Sequence, residues 1–358
     1  MQEEFIGLDI GSNSLKAVQL DRKGGIYTLR TFGYHPTPSG AIFSDSDVDQ
    51  KELSRCIKEL YNEGKFDTRF VVAAFPESLI FTRVIEVPAV NERELTGAIE
   101  WQAEQYIPMP LTEIQLSWMI LDKEAFMKAQ KSQEEKKDKI KVLLVASPNS
   151  LIQKYVKILN QAGLQPVALE TETVAISRSL ATPKDGGRIP TTLIISIGAS
   201  TTDLAVIENG VIQFTRSIGT GGTALARAIS QDLGFDMNQA EEYKKAYGML
   251  EDQLEGKIMK VIRPVIDVIV SEVERAIMYF QTHNPTSTVK RVVLTGGTAQ
   301  LPGLVLFLVN TLGLEVQIGN PWDNIIVPNQ FKSKTDQVEN QVSYAVATGL
   351  AMRNEDGN

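Results

Sequence analysis

The feature that most restricts the fold of this chain is a strand-turn-strand pattern that occurs twice, far apart in the sequence. It spans residues 5–20 and again residues 192–207, and both turns are rich in Gly, Ser, Asn or Thr. Apolar alternation on both sides of such a turn predicts a β-hairpin. An alignment of the two places Gly198 on Gly11, and Ser200 and Thr201 on Asn13 and Ser14. The sequence therefore predicts an internal duplication.

The residues after each hairpin extend the repeat. A further strand follows across a glycine turn, and a helix-compatible segment comes later in each half, at residues 47–63 and 220–233. A third glycine pattern, VVLTGGTAQLPGL, predicts a buried strand, a double-glycine turn and the start of a helix. The 358 residues also exceed the roughly 250–300 at which a single core stops growing. We therefore expect two related α/β lobes.

A stretch from about residue 76 to 169 interrupts the repeat. It contains three strand-like segments, LIFTRVIEVP, LSWMILD and KVLLVASP, and two helix-like segments, NERELTGAIEWQAEQY and SLIQKYVKILNQAG. We interpret it as an inserted α+β subdomain, whose charged run KEAFMKAQKSQEEKKDKIK is a solvated arm or loop, or alternatively a docking patch. The predicted boundaries are 1–75, 170–190 and 341–358 for the first lobe, 76–169 for the insertion, 191–225 and 288–340 for the second lobe, and 226–287 for its helical upper part.

The two hairpin turns carry residues that suit a phosphate group. Asp9 precedes the first turn and Lys16 follows it, and the small residues between them let backbone amides approach an anion. The second turn has the same composition and is followed by Asp203, a carboxylate that can hold a hydrated Mg²⁺. Two facing cradles of this kind suit a triphosphate.

Two further glycine turns add to this pattern. The turn at 219–222 opens a predicted helix, whose N-terminal amides favour an anion, and Gly296-Gly297 permits the close approach of a flat ring or a sugar. One such turn alone would indicate no more than an ordinary hairpin. The four together indicate a nucleotide bound between the lobes.

In the order of these motifs the chain resembles the superfamily of actin, Hsp70 and the sugar kinases. The insertion in the first lobe is similar to that of the cell-division protein FtsA. The match is closer to the PilM family of type IV pilus assembly, whose pattern appears in GLDIGSNSLKAV, AIEWQAEQYIPMPL and AEEYKKAYG. The expected fold is an α/β, actin-like/Hsp70-type duplicated two-lobed ATPase fold with an FtsA-like inserted α+β subdomain.

This resemblance implies ATP and Mg²⁺ as ligands. Asp9 and Asp203 would hold the metal through water, and Glu241 and Lys244, three residues apart on one helix, would reach the ribose or adenine. The alternative is that Glu241 and Lys244 form an exposed charge pair with no role in binding. The nucleotide-binding residues that the resemblance implies are Asp9, Gly11, Ser12, Asn13, Ser14, Lys16, Gly198, Thr201, Thr202, Asp203, Gly221, Gly222, Glu241, Lys244, Gly296 and Gly297.

One position departs from the ATP-hydrolysing relatives, which commonly have Asp two residues before the glycine that matches Gly198. Here that position is Ser196. A hydroxyl in place of a metal-shell carboxylate should reduce turnover more than binding. Glu170 and Glu172 lie near the segment that positions the attacking water in the family, so they are candidate catalytic residues. The alternative is that either is an acidic residue at the edge of the core. We expect at most a slow ATPase, in which ATP is a structural or switching ligand.

The resemblance also implies a partner, the cytoplasmic N-terminal tail of the inner-membrane protein PilN. An aromatic and apolar groove between the first lobe and the insertion suits an extended peptide. Its predicted residues are Leu79, Phe81, Trp101, Gln105, Tyr106, Ile107 and Pro108. The alternative is that Trp101 and Tyr106 simply belong to the core of the subdomain. The expected function is an ATP-binding scaffold that couples PilN to the pilus machinery. An active, polymerising ATPase is the alternative, and further inner-membrane pilus components and motor ATPases are additional candidate partners.

Composition excludes several other classes. A net charge of -8 and a pI of about 5.1 oppose nucleic-acid binding, which needs clustered Lys and Arg. Cys56 is the only cysteine, so no disulfide framework or thiolate cluster is expected, as suits the cytoplasm. Neither histidine, His35 or His283, has ligand spacing nearby. We expect no signal peptide, no membrane span and no direct membrane insertion, so that membrane association is peripheral and depends on the partner.

Overall fold

The computed structural model describes residues 4–90, 92–121, 123, 126–127, 139–181 and 189–354. In these residues the strands form sheets of six, five and three strands. The strands are β1 (Ile6–Ile10), β2 (Ser14–Lys23), β3 (Ile26–Pro36), β4 (Phe70–Phe75), β5 (Phe81–Pro88), β6 (Ile114–Ile120), β7 (Lys139–Pro148), β8 (Gln165–Thr171), β9 (Thr192–Ile197), β10 (Thr202–Glu208), β11 (Val211–Ile218), β12 (Arg291–Thr295), β13 (Glu315–Ile318) and β14 (Ile325–Ile326).

The α-helices of the described residues cover these sheets. They are α1 (Asp47–Glu63), α2 (Glu92–Tyr106), α3 (Asn149–Gln161), α4 (Glu172–Leu180), α5 (Gly222–Leu233), α6 (Met237–Tyr247), α7 (Lys257–His283), α8 (Leu304–Leu312), α9 (Asn329–Thr335), α10 (Val338–Ser343) and α11 (Ala345–Ala351). None of the helices in this part of the chain combines the length and hydrophobicity that a bilayer span requires.

The two large sheets repeat one design. In the six-stranded sheet the order is β14-β3-β2-β1-β4-β8, and in the five-stranded sheet it is β11-β10-β9-β12-β13. Each begins its lobe with an antiparallel meander, β1-β2-β3 or β9-β10-β11, and the first strand of that meander then pairs in parallel with the next strand of the sheet, β4 or β12. The predicted duplication is therefore present as a repeated sheet topology.

Helix α1 shows how local sequence sets an element of this fold. Ser46 caps it by accepting a hydrogen bond from the Val48 amide, which satisfies a donor that has no partner inside the helix. Leu53, Ile57 and Leu60 then recur at helical spacing and are buried against the first sheet. The helix covers the residues that the sequence predicted.

The inserted subdomain is smaller than the sequence predicted. Helix α3 and strand β8 were assigned to it, but α3 packs its Tyr155 and Ile158 into the core of the first lobe, and β8 pairs in parallel with β4. The insertion therefore consists of the sheet β5-β7-β6 and helix α2. Most of the predicted charged arm lies outside the described residues.

The return to the first lobe also comes earlier than predicted. Strand β14 was assigned to the second lobe with residues 288–340, yet it pairs with β3 of the six-stranded sheet. Trp322 and Tyr344 pack with Val18 of the same sheet. A two-residue edge strand carries no periodic signal in the sequence, so its partner could be identified only in the folded chain.

Helix α11 holds the first lobe together through close backbone contact. It packs on β1 and α4, and its sequence AVATGLA contains the small residues Ala347, Gly349 and Ala351. A Cβ atom on Gly349 would lie 1.8 Å from the Ala175 carbonyl oxygen, and one on Gly7 would lie 2.2 Å from the Ala347 oxygen. Three backbones therefore meet where no larger residue fits.

We expect Gly349→Ala to destabilise the protein by about 2–3 kcal/mol, because a fixed backbone oxygen cannot move away from the added methyl group. The matched control is Gly97→Ala in helix α2, where a Cβ atom would meet nothing within 4 Å. There the alanine should stabilise by roughly 0.5–1 kcal/mol. Urea denaturation followed by circular dichroism measures both, and equal stability of the two variants would contradict the packing described here.

Candidate functional site

The turns of the two repeated hairpins have the same internal bond. The Gly11 amide donates to the Ser14 carbonyl oxygen at 3.1 Å, and the Gly198 amide donates to the Thr201 oxygen at 2.9 Å. Both turns line one cleft of about 410 Å³ between the lobes. The structure therefore brings the two predicted cradles to the same space.

In the second lobe, the Gly198 peptide joins three separate turns. Its carbonyl oxygen accepts from the Gly222 amide at 2.9 Å and from the Thr298 hydroxyl at 3.2 Å. Gly296 lies at φ +83°, and a Cβ atom there would be 2.5 Å from the Ile197 carbonyl oxygen. A Cβ atom on Gly222 would lie 2.4 Å from the Thr298 hydroxyl oxygen, so Gly222 and Gly296 are needed for the approach of one loop to another. Gly198, Gly222 and Gly296 all line the cleft.

The first turn is supported by a residue that the sequence did not single out. The Thr37 amide donates to the Asn13 carbonyl oxygen at 3.0 Å, and its hydroxyl donates to the Gly11 oxygen at 2.7 Å. Thr37 directly follows β3, which lies beside β2 in the sheet. An isolated threonine after a strand carries no signal in the sequence, and only the pairing of β2 with β3 brings it to the turn.

The charged groups of the two hairpins occupy opposite strands. Asp9 faces Lys16 across the β1-β2 pair, and the ammonium of Lys16 lies 3.5 Å from an Asp9 carboxylate oxygen. In the β9-β10 pair, Ser196 occupies the position of Asp9 and faces Asp203. The second lobe therefore presents a carboxylate where the first presents an ammonium group.

Two more carboxyl groups lie near Asp9 and Asp203: Glu77 is buried and Glu172 is half-buried. Glu172 begins helix α4 and lines the cleft. Glu77, which the sequence did not single out, is 5% exposed and accepts a hydrogen bond from the Thr173 amide at 3.4 Å. Because a short turn with one acid is common in any loop, nothing in the sequence distinguished Glu77 from surface acids.

Burial makes these carboxyl groups hard to ionise. It raises the pKa of Glu172 well above its ordinary value, and the negative charges of Asp203, Asp9 and Glu77 raise it further. Burial and the charge of Asp203 raise the pKa of Glu77 to about 7. Burial raises the pKa of Asp203 to about 6 and also raises that of Asp9, although Lys16 opposes the latter. A bound cation would relieve the repulsion within this cluster.

The donor set at Asp203 fits such a cation. Its Oδ2 atom accepts from the Thr201 hydroxyl at 3.3 Å, whereas its Oδ1 atom is buried without a hydrogen-bond partner in the described part of the chain. Asp9 lines the same cleft. Magnesium binds through one or two carboxylates and several waters, which agrees with two separate carboxylates at the cleft.

Glu241 and Lys244 are not the exposed charge pair that the sequence left as an alternative. The ammonium of Lys244 is buried and lies 2.7 Å from a Glu241 carboxylate oxygen, and it also donates to the Gly222 carbonyl oxygen at 3.0 Å. Burial lowers the pKa of Lys244. Both residues line the cleft, beside the glycine turn that opens helix α5.

Most of the predicted nucleotide-binding residues line the cleft, but three other predicted site residues do not. The Thr202 hydroxyl donates to the Thr220 carbonyl oxygen at 2.8 Å, and Gly221 packs against the Gly198 and Ala199 oxygens. Both residues therefore support the loops of the cleft without lining it. Glu170 pairs with Arg178 and Arg353 and lies outside the cleft. The cleft-lining members are Asp9, Gly11, Ser12, Asn13, Ser14, Lys16, Gly198, Thr201, Asp203, Gly222, Glu241, Lys244, Gly296 and Gly297.

The predicted partner groove is divided between surface and core. Trp101 is 62% exposed and Tyr106 is 39% exposed, so neither belongs to the core of the subdomain. The guanidinium of Arg83 lies 4.2 Å from the centre of the Tyr106 ring. Ile107 is buried in the subdomain core, which corrects its predicted place on the surface. The rest of the predicted set is Leu79 and Phe81, both half-buried, and Gln105 and Pro108, both exposed.

Comparison with known proteins gives one family. The family model described as "Type IV pilus assembly protein PilM" matches residues 7–355. A chain of the solved "PilM-PilN type IV pilus biogenesis complex" is 28% identical, with a TM-score of 0.83 over 98% of both chains. Cell division protein FtsA of Streptococcus pneumoniae serotype 2 is 22% identical over 96% of this chain and 80% of its own length.

A more distant match shows the same fold. MreB 5 of Spiroplasma citri, solved with bound AMPPNP, superimposes with a TM-score of 0.51 at 15% identity, over 98% of this chain and 95% of that protein. The fold is therefore that of the actin-like proteins, which confirms the fold that the sequence predicted.

We expect the stability of the nucleotide-free protein to depend on Glu77 between pH 5 and 7. Because its pKa rises from 4.5 to about 7 on folding, the folded chain holds a proton that the unfolded chain releases, so wild-type stability falls as pH rises through this range. Glu77→Gln should reduce this fall, to which Asp203 and Glu172 still contribute, and gain up to about 3 kcal/mol at pH 8. The control is the exposed Glu242→Gln, and identical pH profiles for both variants, measured by urea denaturation with a chelator present, would refute the assignment.

Proposed function

The chain belongs to the PilM family of type IV pilus assembly proteins, and on this premise we propose that it is a cytoplasmic scaffold that binds ATP with Mg²⁺ between its lobes and the N-terminal tail of PilN on its inserted subdomain. The observation that supports nucleotide binding best is the pair of hairpin turns with the same internal hydrogen bond, which line one cleft beside a buried carboxylate oxygen without a hydrogen-bond partner in the described residues. The likeness to the PilM-PilN complex supports the partner.

The cleft has separate places for the parts of ATP. The turns at Gly11 and Gly198 present small residues from both lobes, as a triphosphate needs. The pair Glu241 and Lys244 and the turn at Gly296 also line the cleft, and they would contact the nucleoside. A ligand held by both lobes would favour their closed arrangement.

Asp9 and Asp203 are the residues that would hold Mg²⁺, through water molecules. The bound ion would neutralise phosphate charge and the surrounding carboxylates. Lys16 already pairs with Asp9, so its ammonium group lies at the first turn, where a phosphate would need a counter-charge. The two carboxylates, the ammonium group and the backbone amides of the turns would together bind Mg·ATP, and binding does not require hydrolysis.

The site supports ATP binding better than it supports ATP hydrolysis. Ser196 occupies the position where ATP-hydrolysing relatives commonly have a carboxylate, and it faces Asp203. One observation favours the alternative of an active ATPase: Glu172 is half-buried and lines the cleft, so it could orient an attacking water. Glu170 has no such position, because it pairs with two arginines outside the cleft.

The proposed PilN groove combines exposed aromatic side chains of α2 with apolar residues at the start of β5. Trp101 and Tyr106 are the exposed anchors, and Leu79 and Phe81 are half-buried beside the first lobe and the insertion. Aromatic side chains carry most of the binding energy at such surfaces. Through this partner the protein would stay at the cytoplasmic face of the inner membrane, where other pilus components and the motor ATPases are further candidates.

A short segment connects the two proposed sites. Pro76 and Ser78 line the cleft, Glu77 between them is buried against α4, and Leu79 and Phe81 follow directly at the proposed groove. A nucleotide that orders this segment from one end would therefore order the groove at the other. Positive coupling between ATP and the PilN tail follows from this continuity.

We expect Asp203→Asn to weaken Mg·ATP binding by at least about tenfold, because it removes a metal-shell charge while keeping the size of the side chain. The control is Asp232→Asn, an exposed aspartate on α5. Titration calorimetry measures both affinities. The nucleotide content of purified protein, followed over time, then separates the two functions: retained ATP supports the scaffold, and repeated release of ADP supports the active ATPase.

We expect Trp101→Ala to weaken binding of a synthetic PilN tail peptide by at least about tenfold, whereas Trp118→Ala, an exposed tryptophan on the edge strand β6, should leave it unchanged. Saturating Mg·ATP should tighten peptide binding to the wild-type protein. Fluorescence anisotropy of the labelled peptide measures these affinities. Equal affinity with and without ATP would remove the proposed coupling, and equal losses in both variants would remove the groove.

A further inference from the structure

Three potential metal ligands from distant parts of the sequence meet on the outer side of the first lobe. His35 lies on β3, and Cys56 and Glu59 lie one turn apart on α1. One ligand atom from each lies within 4.8 Å of the others, and none of the three lines the cleft. We propose that His35, Cys56 and Glu59 form a binding site for a divalent transition metal ion of the Zn²⁺ type, separate from the nucleotide.

The donor types select this class of ion. A thiolate, an imidazole and a carboxylate are the ligands that zinc combines, whereas Mg²⁺ and Ca²⁺ take oxygen atoms alone. Three protein ligands leave a fourth tetrahedral position for water. Bonds of roughly 2.0–2.3 Å would place the ligand atoms about 3.3–3.8 Å apart, so the group needs to contract slightly. The side chain of Glu59 is 39% exposed, which permits this movement.

The hydrogen bond of His35 orients the ring for a metal. Its Nδ1 atom lies 2.7 Å from the Pro36 carbonyl oxygen, which can only accept, so in the neutral ring Nδ1 carries the proton. The unprotonated Nε2 atom then faces a Glu59 carboxylate oxygen at 3.3 Å. Two lone pairs at this distance repel each other unless a proton or a cation lies between them. A backbone acceptor behind a histidine is also the usual support of a metal ligand.

Exposure and charge agree with a metal ion that enters from solvent. Cys56 is 3% exposed, the His35 side chain 18% and the Glu59 side chain 39%, so the group opens outward from the thiol. Arg55 stands beside it, but it pairs with Glu52 as well as with Glu59. The positive charge next to the site is thereby offset, and a divalent ion bound by one thiolate and one carboxylate forms a neutral group.

An ion at this position would link β3 to α1. Its ligand His35 lies two residues before Thr37, whose amide and hydroxyl form hydrogen bonds with the first hairpin turn. Binding should therefore raise the melting temperature of the folded protein, since the unfolded chain does not bring the three ligands together.

Cobalt titration of the full-length wild-type protein tests the site directly. The buffer contains excess Mg²⁺, no nucleotide and a phosphine reductant, so that the cleft carboxylates do not compete for Co²⁺ and Cys56 stays reduced. We expect one equivalent of Co²⁺ to bind with a thiolate-to-metal charge-transfer absorption, and one equivalent of Zn²⁺ to displace it. Because Cys56 is the sole thiol, this band can come from no other residue. Its absence from the wild-type protein would overturn the proposal without any variant.

Single substitutions then assign the other ligands. Cys56→Ser should abolish the band, and His35→Gln and Glu59→Gln should each weaken Zn²⁺ binding by at least about tenfold. The matched control is His283→Gln, because His283 stacks on Tyr279 at the end of α7 and lies outside the group. Circular dichroism confirms folding of each variant. Equal Zn²⁺ affinity in the wild-type, His35→Gln and Glu59→Gln proteins would overturn the assignment, as would a loss of affinity in His283→Gln as large as theirs.

Discussion

The arrangement of the cleft depends on the backbone of one residue, Gly198. Its amide closes its own hairpin turn, and its carbonyl oxygen receives the amide of Gly222 and the hydroxyl of Thr298. These bonds hold the hairpin, the start of α5 and the turn after β12 in one place. A side chain on Gly222 would collide with the Thr298 hydroxyl and one on Gly296 with the Ile197 carbonyl oxygen, so glycine is required at these two contacts.

The second determinant is the burial of acids around a single lysine. Desolvation raises the pKa of Asp9, Glu77, Glu172 and Asp203, and their mutual repulsion adds to it for Glu172 and Glu77. Such a cluster opposes folding at neutral pH unless a cation joins it. The cost is concentrated where a metal-bound phosphate chain would remove it, which is the expected property of a site organised for its ligand.

The inserted subdomain and the candidate metal group extend this organisation to the rest of the first lobe. Residues 76–81 run from the cleft to the exposed face of the insertion, so the two proposed binding events share one segment of backbone. On the other side, β3 carries His35 and leads into Thr37, which supports the first turn. Both connections pass through backbone hydrogen bonds and packed strands, and neither requires a flexible linker.

The repeated hairpins, the main helices and most of the cleft residues could be predicted from the sequence, because local periodicity and turn chemistry are contained in neighbouring residues. Such patterns do not record which distant elements meet. Only the tertiary structure placed α3 and β8 in the first lobe, moved Glu170 out of the cleft, added Glu77 and Thr37, and brought Cys56 and Glu59 to His35. Each of these depends on long-range packing, in which a side chain acquires its environment from residues far away in the chain.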